Sequence, residues 1–99
     1  MHNFFLTNKA VEDLSKIWEY TYEVWSEKQA DKYYFELLYD CRELAENQTL
    51  GRNYDEIRKE IFEYKSGLHV IFYRIINTTQ IEITRILHSQ MDLRNRIQE

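Results

Sequence analysis

Arg85 is the residue whose surroundings most need explaining. It stands in Ile81-Glu82-Ile83-Thr84-Arg85-Ile86-Leu87-His88, a run whose alternation reads as a strand and puts the guanidinium on the same face as Ile81, Ile83 and Leu87. A cation on the apolar face of a strand is either satisfied by a carboxylate inside the fold, with Glu63 and Asp92 as candidates, or it sits at an open end of the sheet where another molecule reaches it. His88 closes the same run, where an imidazole serves as a capping group or as a contact for another macromolecule. The preceding run, His69-Val70-Ile71-Phe72-Tyr73-Arg74-Ile75-Ile76, is apolar on both faces, as a central strand covered on each side is. In it His69 and Tyr73 read as ties between strands. Arg74 and Arg85 could hold a phosphate and His88 could act as acid or base, but that set is incomplete for breaking a phosphodiester bond. The three histidines and Cys41 show no metal-ligand spacing, and two glycines cannot build a phosphate-cradling loop. No metal and no cofactor are expected.

The elements that must position these groups can be read from the rest of the chain. Thr7 is an N-cap, and Val11, Leu14, Trp18, Tyr22 and Trp25 follow it at helical spacing as one apolar stripe. Ser26 with Gln29 three residues on has the form of a capping box, so a second helix starts directly after a corner at residues 26–27. Its buried stripe is Ala30, Tyr34, Leu37, Cys41, Leu44 and Ala45, widened by Tyr33 and Leu38. Asn47 to Asn53 has the composition of a loop, with Gly51 available for a positive φ. Lys59 to Lys65 then alternates, with Ile61 and Glu63 on one face and Phe62 and Tyr64 on the other; Ser66-Gly67 and Asn77-Thr78-Thr79 supply turns. Asn3-Phe4-Phe5-Leu6 reads as an edge strand of the same sheet. The order is β-α-α-β-β-β, an α+β fold in which an antiparallel sheet carries an N-terminal helical hairpin on one face.

Ninety-nine residues suffice for one domain, which removes about 60–70% of the unfolded chain's surface from water. Hydrophobic residues at 43% exclude a disordered tail. A single cysteine permits no intrachain disulfide, no apolar stretch approaches the ~20 residues of a membrane span, and the N-terminus lacks the pattern of a signal peptide, so a cytoplasmic protein is expected. The net charge of -4 weighs against a free-standing nucleic-acid binder. Residues 1–50 hold ten acids against five Lys/Arg, whereas residues 51–99 hold seven against eight, so the C-terminal half can present a locally basic face.

Several segments taken together resemble one family. These are the N-terminal strand, Ala10-Val11-x-Asp13-Leu14, Leu44-Ala45-Glu46-Asn47, Gly51-Arg52 with Asp55-Glu56-Ile57-Arg58, Gly67-x-His69-Val70-Ile71-Phe72-Tyr73-Arg74, and Arg85-Ile86-Leu87-His88-x-x-Met91-Asp92. Over nearly the whole chain and in this order they are similar to the ParE branch of the RelE/ParE superfamily of type II toxin–antitoxin systems. The resemblance implies a single RelE/ParE-like domain spanning 1–99. It implies a small cytoplasmic toxin that poisons DNA gyrase without catalysis of its own, is neutralised by a ParD-type antitoxin, and represses its operon jointly with it. The RelE branch, whose members cleave mRNA in the ribosome, is the enzymatic alternative, and a non-toxic antitoxin-binding co-repressor is a third. Against the nuclease, His69 stands where such enzymes commonly carry Arg, and no tyrosine follows Leu87.

Under this resemblance the gyrase-facing candidates are Arg85, His88, Asp92, Arg94 and Arg96, at the C-terminal end of the sheet and its tail. Asp92 has the alternative of a helix cap or a salt bridge to Arg94 or Arg96. The antitoxin-facing candidates are Arg52, Arg58, Tyr33, Tyr73 and Arg74. An exposed sheet edge and an aromatic-rich groove between helices and sheet would let a disordered antitoxin segment fold onto the toxin. Any operator DNA is then met through the antitoxin, and neither a membrane nor a small-molecule substrate is expected.

Overall fold

The computed structural model describes residues 1–53 and 60–90. Its elements are β1 (Asn3–Leu6), α1 (Asn8–Val24), α2 (Glu27–Glu46), β2 (Arg52–Asn53), β3 (Ile61–Ser66), β4 (His69–Asn77) and β5 (Gln80–His88). Both helix starts follow from their caps: the Thr7 hydroxyl accepts from the Ala10 amide at 3.1 Å and the Ser26 hydroxyl from the Gln29 amide at 3.1 Å. Each cap satisfies an amide that the first turn leaves without a partner. Trp25 and Ser26 thus form a two-residue corner, and the helices fold back on one another.

The strands lie in the order β1-β5-β4-β3-β2. β3, β4 and β5 form the antiparallel meander, and β1 joins the far edge of β5 in parallel, so the sheet is mixed. The chain reaches that edge because the helical hairpin carries it across the sheet between β1 and the meander. Arg52 and Asn53, expected in a loop, add a two-residue edge strand antiparallel to Phe62 and Glu63.

One face of the sheet packs on the helices. There Leu37, Cys41 and Leu44 of α2 and Ala10, Leu14 and Ile17 of α1 meet Ile71, Tyr73, Ile81, Ile83 and Ile86. Each large side chain of this cluster contributes about 1.5–3 kcal/mol by leaving water. Ile61, Val70, Phe72 and Leu87 form a second, smaller buried cluster on the opposite face, so β4 is covered on both sides as its unbroken apolar run requires. The stripe of α2 is the expected one. That of α1 is rotated by about one residue: Ala10, Asp13, Leu14 and Ile17 face inward, whereas Val11, Tyr22 and Trp25 are exposed. Trp18 and Tyr22 instead stack on each other at 5.3 Å, and the Trp18 indole donates to Asp31. The aromatic rings of α1 therefore line its flank, leaving the tight contact with the sheet to smaller side chains.

A bulge in β5 resets the face of every residue after it. Tyr73 pairs with Ile83 and Phe72 with Arg85, so Thr84 has no opposite number. Beyond the bulge Ile86 takes the helix-facing position and Leu87 the opposite face, which corrects the uniform alternation expected from Ile81 to Leu87. Thr84 is held on both sides: its hydroxyl donates to the Phe72 carbonyl, and its own carbonyl accepts from the Thr7 hydroxyl.

Candidate functional site

The groups with chemical capacity gather where the β3–β4 hairpin tip meets the end of β5. Cross-strand pairing sets His69 opposite His88, which brings the two imidazoles to a centroid separation of 5.2 Å with their planes at 77°. The Tyr33 hydroxyl from α2 lies 2.6 Å from His69 Nδ1 and also accepts from the Leu68 amide at 3.0 Å. Burial, joined by the like-charge effect of His88 and opposed by the Asp13 carboxylate, lowers the His69 pKa to about 4. His69 is consequently neutral at pH 7. Its Nδ1 accepts a hydrogen bond from the Tyr33 hydroxyl, which keeps its proton, and its Nε2 carries the ring N–H. The Gln90 amide donates to His88 Nδ1 at 3.1 Å, which leaves Nε2 as the nitrogen of that ring that carries a proton. The hydrogen bonds that the described residues make to these two rings are both at Nδ1, so neither Nε2 is used within the described fold. The pair therefore offers two adjacent N–H donors and no uncommitted lone pair. Such a pair can bind a carboxylate, phosphate or carbonyl oxygen; to accept a proton it must first break a hydrogen bond.

The tip that carries His69 is fastened to α2. The Ser66 hydroxyl donates to Asp40, and Gly67, at φ 60°, turns the chain tightly against the Tyr33 ring. A β-carbon at Gly67 would stand 2.9 Å from that ring as well as being strained by the backbone, so the position requires glycine.

Arg85 finds its carboxylate in Asp13 of α1. Arg85 Nε and an Nη donate to the two carboxylate oxygens at 2.9 and 3.0 Å, and the side chains are only 14% and 10% exposed. One of those oxygens also accepts from the Ile86 amide at 3.0 Å. β1 ends at Leu6, opposite Ile83, and Asp13 occupies the edge of β5 beyond it. Of the two possibilities for Arg85, internal satisfaction is the one realised, by Asp13 and not by Glu63, which pairs with Arg52. Asp13 was legible as an acid spaced three and four residues from Ala10 and Ile17, on the inward row of α1.

At the other end of the sheet Tyr73 ties down the loop after α2. Its hydroxyl accepts from the Gly51 amide at 3.0 Å and donates to the Gln48 carbonyl at 2.8 Å. Tyr73 is 0% exposed, which corrects its expectation as an antitoxin contact: its ring stacks on Phe62 inside the fold and its hydroxyl is used by the loop. Gly51 is needed for close approach, not for a positive φ, since a β-carbon there would lie 2.5 Å from the Tyr73 hydroxyl. Arg52 is largely exposed and paired with Glu63 at 2.5 Å, while Arg74 is partly exposed and paired with Glu82 at 3.0 Å. Tyr33 is half-buried, with its hydroxyl engaged in the hairpin clamp. Arg58, Asp92, Arg94 and Arg96 lie outside the described residues. Of the candidates, the structure brings His88 beside His69 and Arg85 beside Asp13, and leaves Arg52 and Arg74 at the opposite end. Sequence reasoning missed the Tyr33–His69 link, which joins residues 36 apart. No group of three or more His, Cys, Asp or Glu side chains that could hold a metal comes together among the described residues.

A helical hairpin on a five-stranded mixed sheet, with a polar rim at the end of the meander, is the RelE/ParE toxin fold. A chain of the chromosomal ParDE toxin–antitoxin system from P. aeruginosa matches it with a TM-score of 0.76 at 18% identity, over 89% of this chain and 96% of that one. A chain of the toxin–antitoxin complex RelBE2 from Mycobacterium tuberculosis matches with a TM-score of 0.60 at 19% identity, over 88% and 96%. At such identities the likeness concerns the fold alone. Sequence carries it further. Residues 4–93 match the family described as "ParE toxin of type II toxin-antitoxin system, parDE". The chain is 36% identical over 90 residues to toxin ParE1 of Mycobacterium tuberculosis (strain H37Rv), covering 91% of this chain and 92% of that protein, and 34% identical over 94 residues to toxin ParE1 of Caulobacter vibrioides, covering 95% and 96%. The chain belongs to the ParE toxin family of type II toxin–antitoxin systems.

Proposed function

We propose that this ParE toxin acts by binding DNA gyrase and holding it in its DNA-cleaved state, so that the breaks are made by gyrase, and that a ParD-type antitoxin neutralises it and joins it in repressing their operon. The match of residues 4–93 to the ParE family is the observation that carries this reading. A ligand can favour one state of a target only through contacts it makes better in that state. The rim provides groups suited to such contacts: the Nε2 positions of His69 and His88, which the described fold does not use, with His69 carried on a hairpin tip that is already fixed. Binding is favoured over bond breaking by the prior commitments of these groups. Both Nδ1 lone pairs accept hydrogen bonds, and Arg85 is engaged by Asp13.

The antitoxin is the natural occupant of the opposite end, where the short β2 edge carries Arg52. An extended or helical segment folding there would gain main-chain hydrogen bonds and apolar burial together. The net charge of -4 suits a complex in which operator DNA is contacted by the antitoxin.

Purified toxin added to gyrase should inhibit supercoiling and raise the level of cleaved DNA complexes, and expression without antitoxin should make cells filament with an induced DNA-damage response. Unchanged gyrase at large molar excess of toxin refutes the proposal. Codon-specific mRNA cuts on programmed ribosomes would move the chain to the nuclease reading.

A further inference from the structure

Helix α2 buries one side and leaves the opposite side with an unusual pattern. Lys28, Lys32, Phe35, Tyr39, Arg42 and Glu46 follow one another at intervals of three and four, and all six are exposed. Phe35 and Tyr39 are 64% and 60% exposed at the centre of this stripe, diametrically opposite the buried Leu37. They border a groove of about 440 Å³ running beside Lys32, Glu36 and Asp40. Two neighbouring aromatic rings with two lysines at one end and an arginine and a glutamate at the other form a surface that is not explained by the needs of the fold.

The stripe has a symmetry that selects its occupant. Counted about residue 37, Phe35 and Tyr39 exchange places, and so do Lys28 and Glu46. We infer that the outer face of α2 is a two-fold interface with a second copy of this chain, in which antiparallel α2 helices stack Phe35 of one copy on Tyr39 of the other and pair Lys28 with Glu46 at both ends. A two-fold contact requires a self-complementary patch, and this one meets the requirement in both apolar and charged positions. Lys32 falls opposite Arg42 of the second copy, a like-charge contact that Glu43, one position further on, offsets. An acidic helical partner would be matched by the cations but opposed by Glu46 and Glu43. The second copy answers both signs. Because a single pair of helices buries less than the roughly 1,200–2,000 Å² of a stable complex, the dimer is weak and concentration-dependent.

Sedimentation equilibrium of the purified full chain from about 5 to 500 µM at low salt tests this. A monomer–dimer equilibrium is expected, and a chain that stays monomeric throughout overturns the inference. The double variant Phe35→Ser with Tyr39→Ser should abolish dimerisation while its circular dichroism stays that of the parent, since both positions are exposed. Lys28→Glu should weaken the dimer roughly tenfold, because it places like charges together at both ends. Adding Glu46→Lys to it should restore the affinity to within about twofold. Residues 28 and 46 are about 27 Å apart along one helix, so they cannot compensate within a copy and rescue reports contact between copies. Failure of that rescue, or dimerisation that survives loss of both rings, refutes the arrangement.

Discussion

Replacing Asp13 with alanine should be among the most damaging single changes available in this chain. It removes both charge-assisted hydrogen bonds to Arg85 and the acceptor of the Ile86 amide. Taking one member from a buried ion pair costs about 3–5 kcal/mol, and a buried amide without an acceptor about 1–3 kcal/mol. The two costs overlap, since water admitted by the truncation serves both groups, so about 4 kcal/mol is expected. For a domain of this size that corresponds to a fall in Tm of about 20 °C. Asp13→Asn keeps acceptor capacity for the amide and loses only the charge, and should cost about 2 kcal/mol.

The diagnostic variant is the double replacement Asp13→Leu with Arg85→Met. It removes both charges and fills the space with apolar volume, so its stability should exceed that of Asp13→Ala although it carries one more substitution. Urea unfolding followed by circular dichroism gives the values, with midpoints compared at a common m-value. If Asp13→Ala costs under 1 kcal/mol, or if the double variant is no more stable than the single, the pair does not hold β5 to α1 as described.

Three further outcomes follow from the same contacts. The folded-state pKa of His69, about 4, is below its ordinary value of 6.5, so the unfolded chain binds the proton more readily: the contribution of His69 is fully present above pH 6.5 and is lost as pH falls through 4. Allowing for its partial exposure, urea unfolding should show a loss of about 2 kcal/mol between pH 7 and pH 4 that His69→Gln flattens. Gly51→Ala drives a methyl into the Tyr73 hydroxyl and should destabilise by about 1–3 kcal/mol in the same assay, with added Tyr73→Phe relieving part of the loss. Cys41 is buried with its thiol pKa pushed up to about 12 by desolvation, so it should react with a thiol reagent only as fast as the protein opens, and at full rate in denaturant.

Much of the fold could be read in the sequence wherever local chemistry decides it. Thr7 and Ser26 cap the helices because a hydroxyl satisfies an amide three residues on, and the α2 stripe follows because no competing large side chain lies on its inward row. The apolar run of β4 predicted cover on both faces for the same local reason. Non-local terms decided the rest. The aromatics of α1 suggested a stripe through Val11, Tyr22 and Trp25, but close approach to the sheet favours Ala10, and the carboxylate of Asp13 is drawn inward by Arg85, 72 residues away. The bulge at Thr84 is fixed by Thr7 from another element, so no alternation count within β5 could reveal it. At the rim, His69 and His88 stood out individually, but their juxtaposition depends on strand register and their protonation on Tyr33.

Helix α2 connects these separate observations. One side of it supplies Leu37, Cys41 and Leu44 to the core, and the adjoining side supplies Tyr33 and Asp40 to the hairpin tip. Binding groups that are fixed before an encounter lose less conformational entropy on contact than groups that must be ordered by it. His69 gains that fixity from α2, because the hydroxyl of Tyr33 holds its Nδ1 and the neighbouring Leu68 amide together. A target that required the tip to move would have to break both of those bonds and the Ser66–Asp40 contact. The rim is therefore better suited to recognising a surface already of the right shape than to moulding itself onto one. If the toxin acts as proposed, by selecting one conformation of its target, rigidity of this kind is what turns binding energy into discrimination between states.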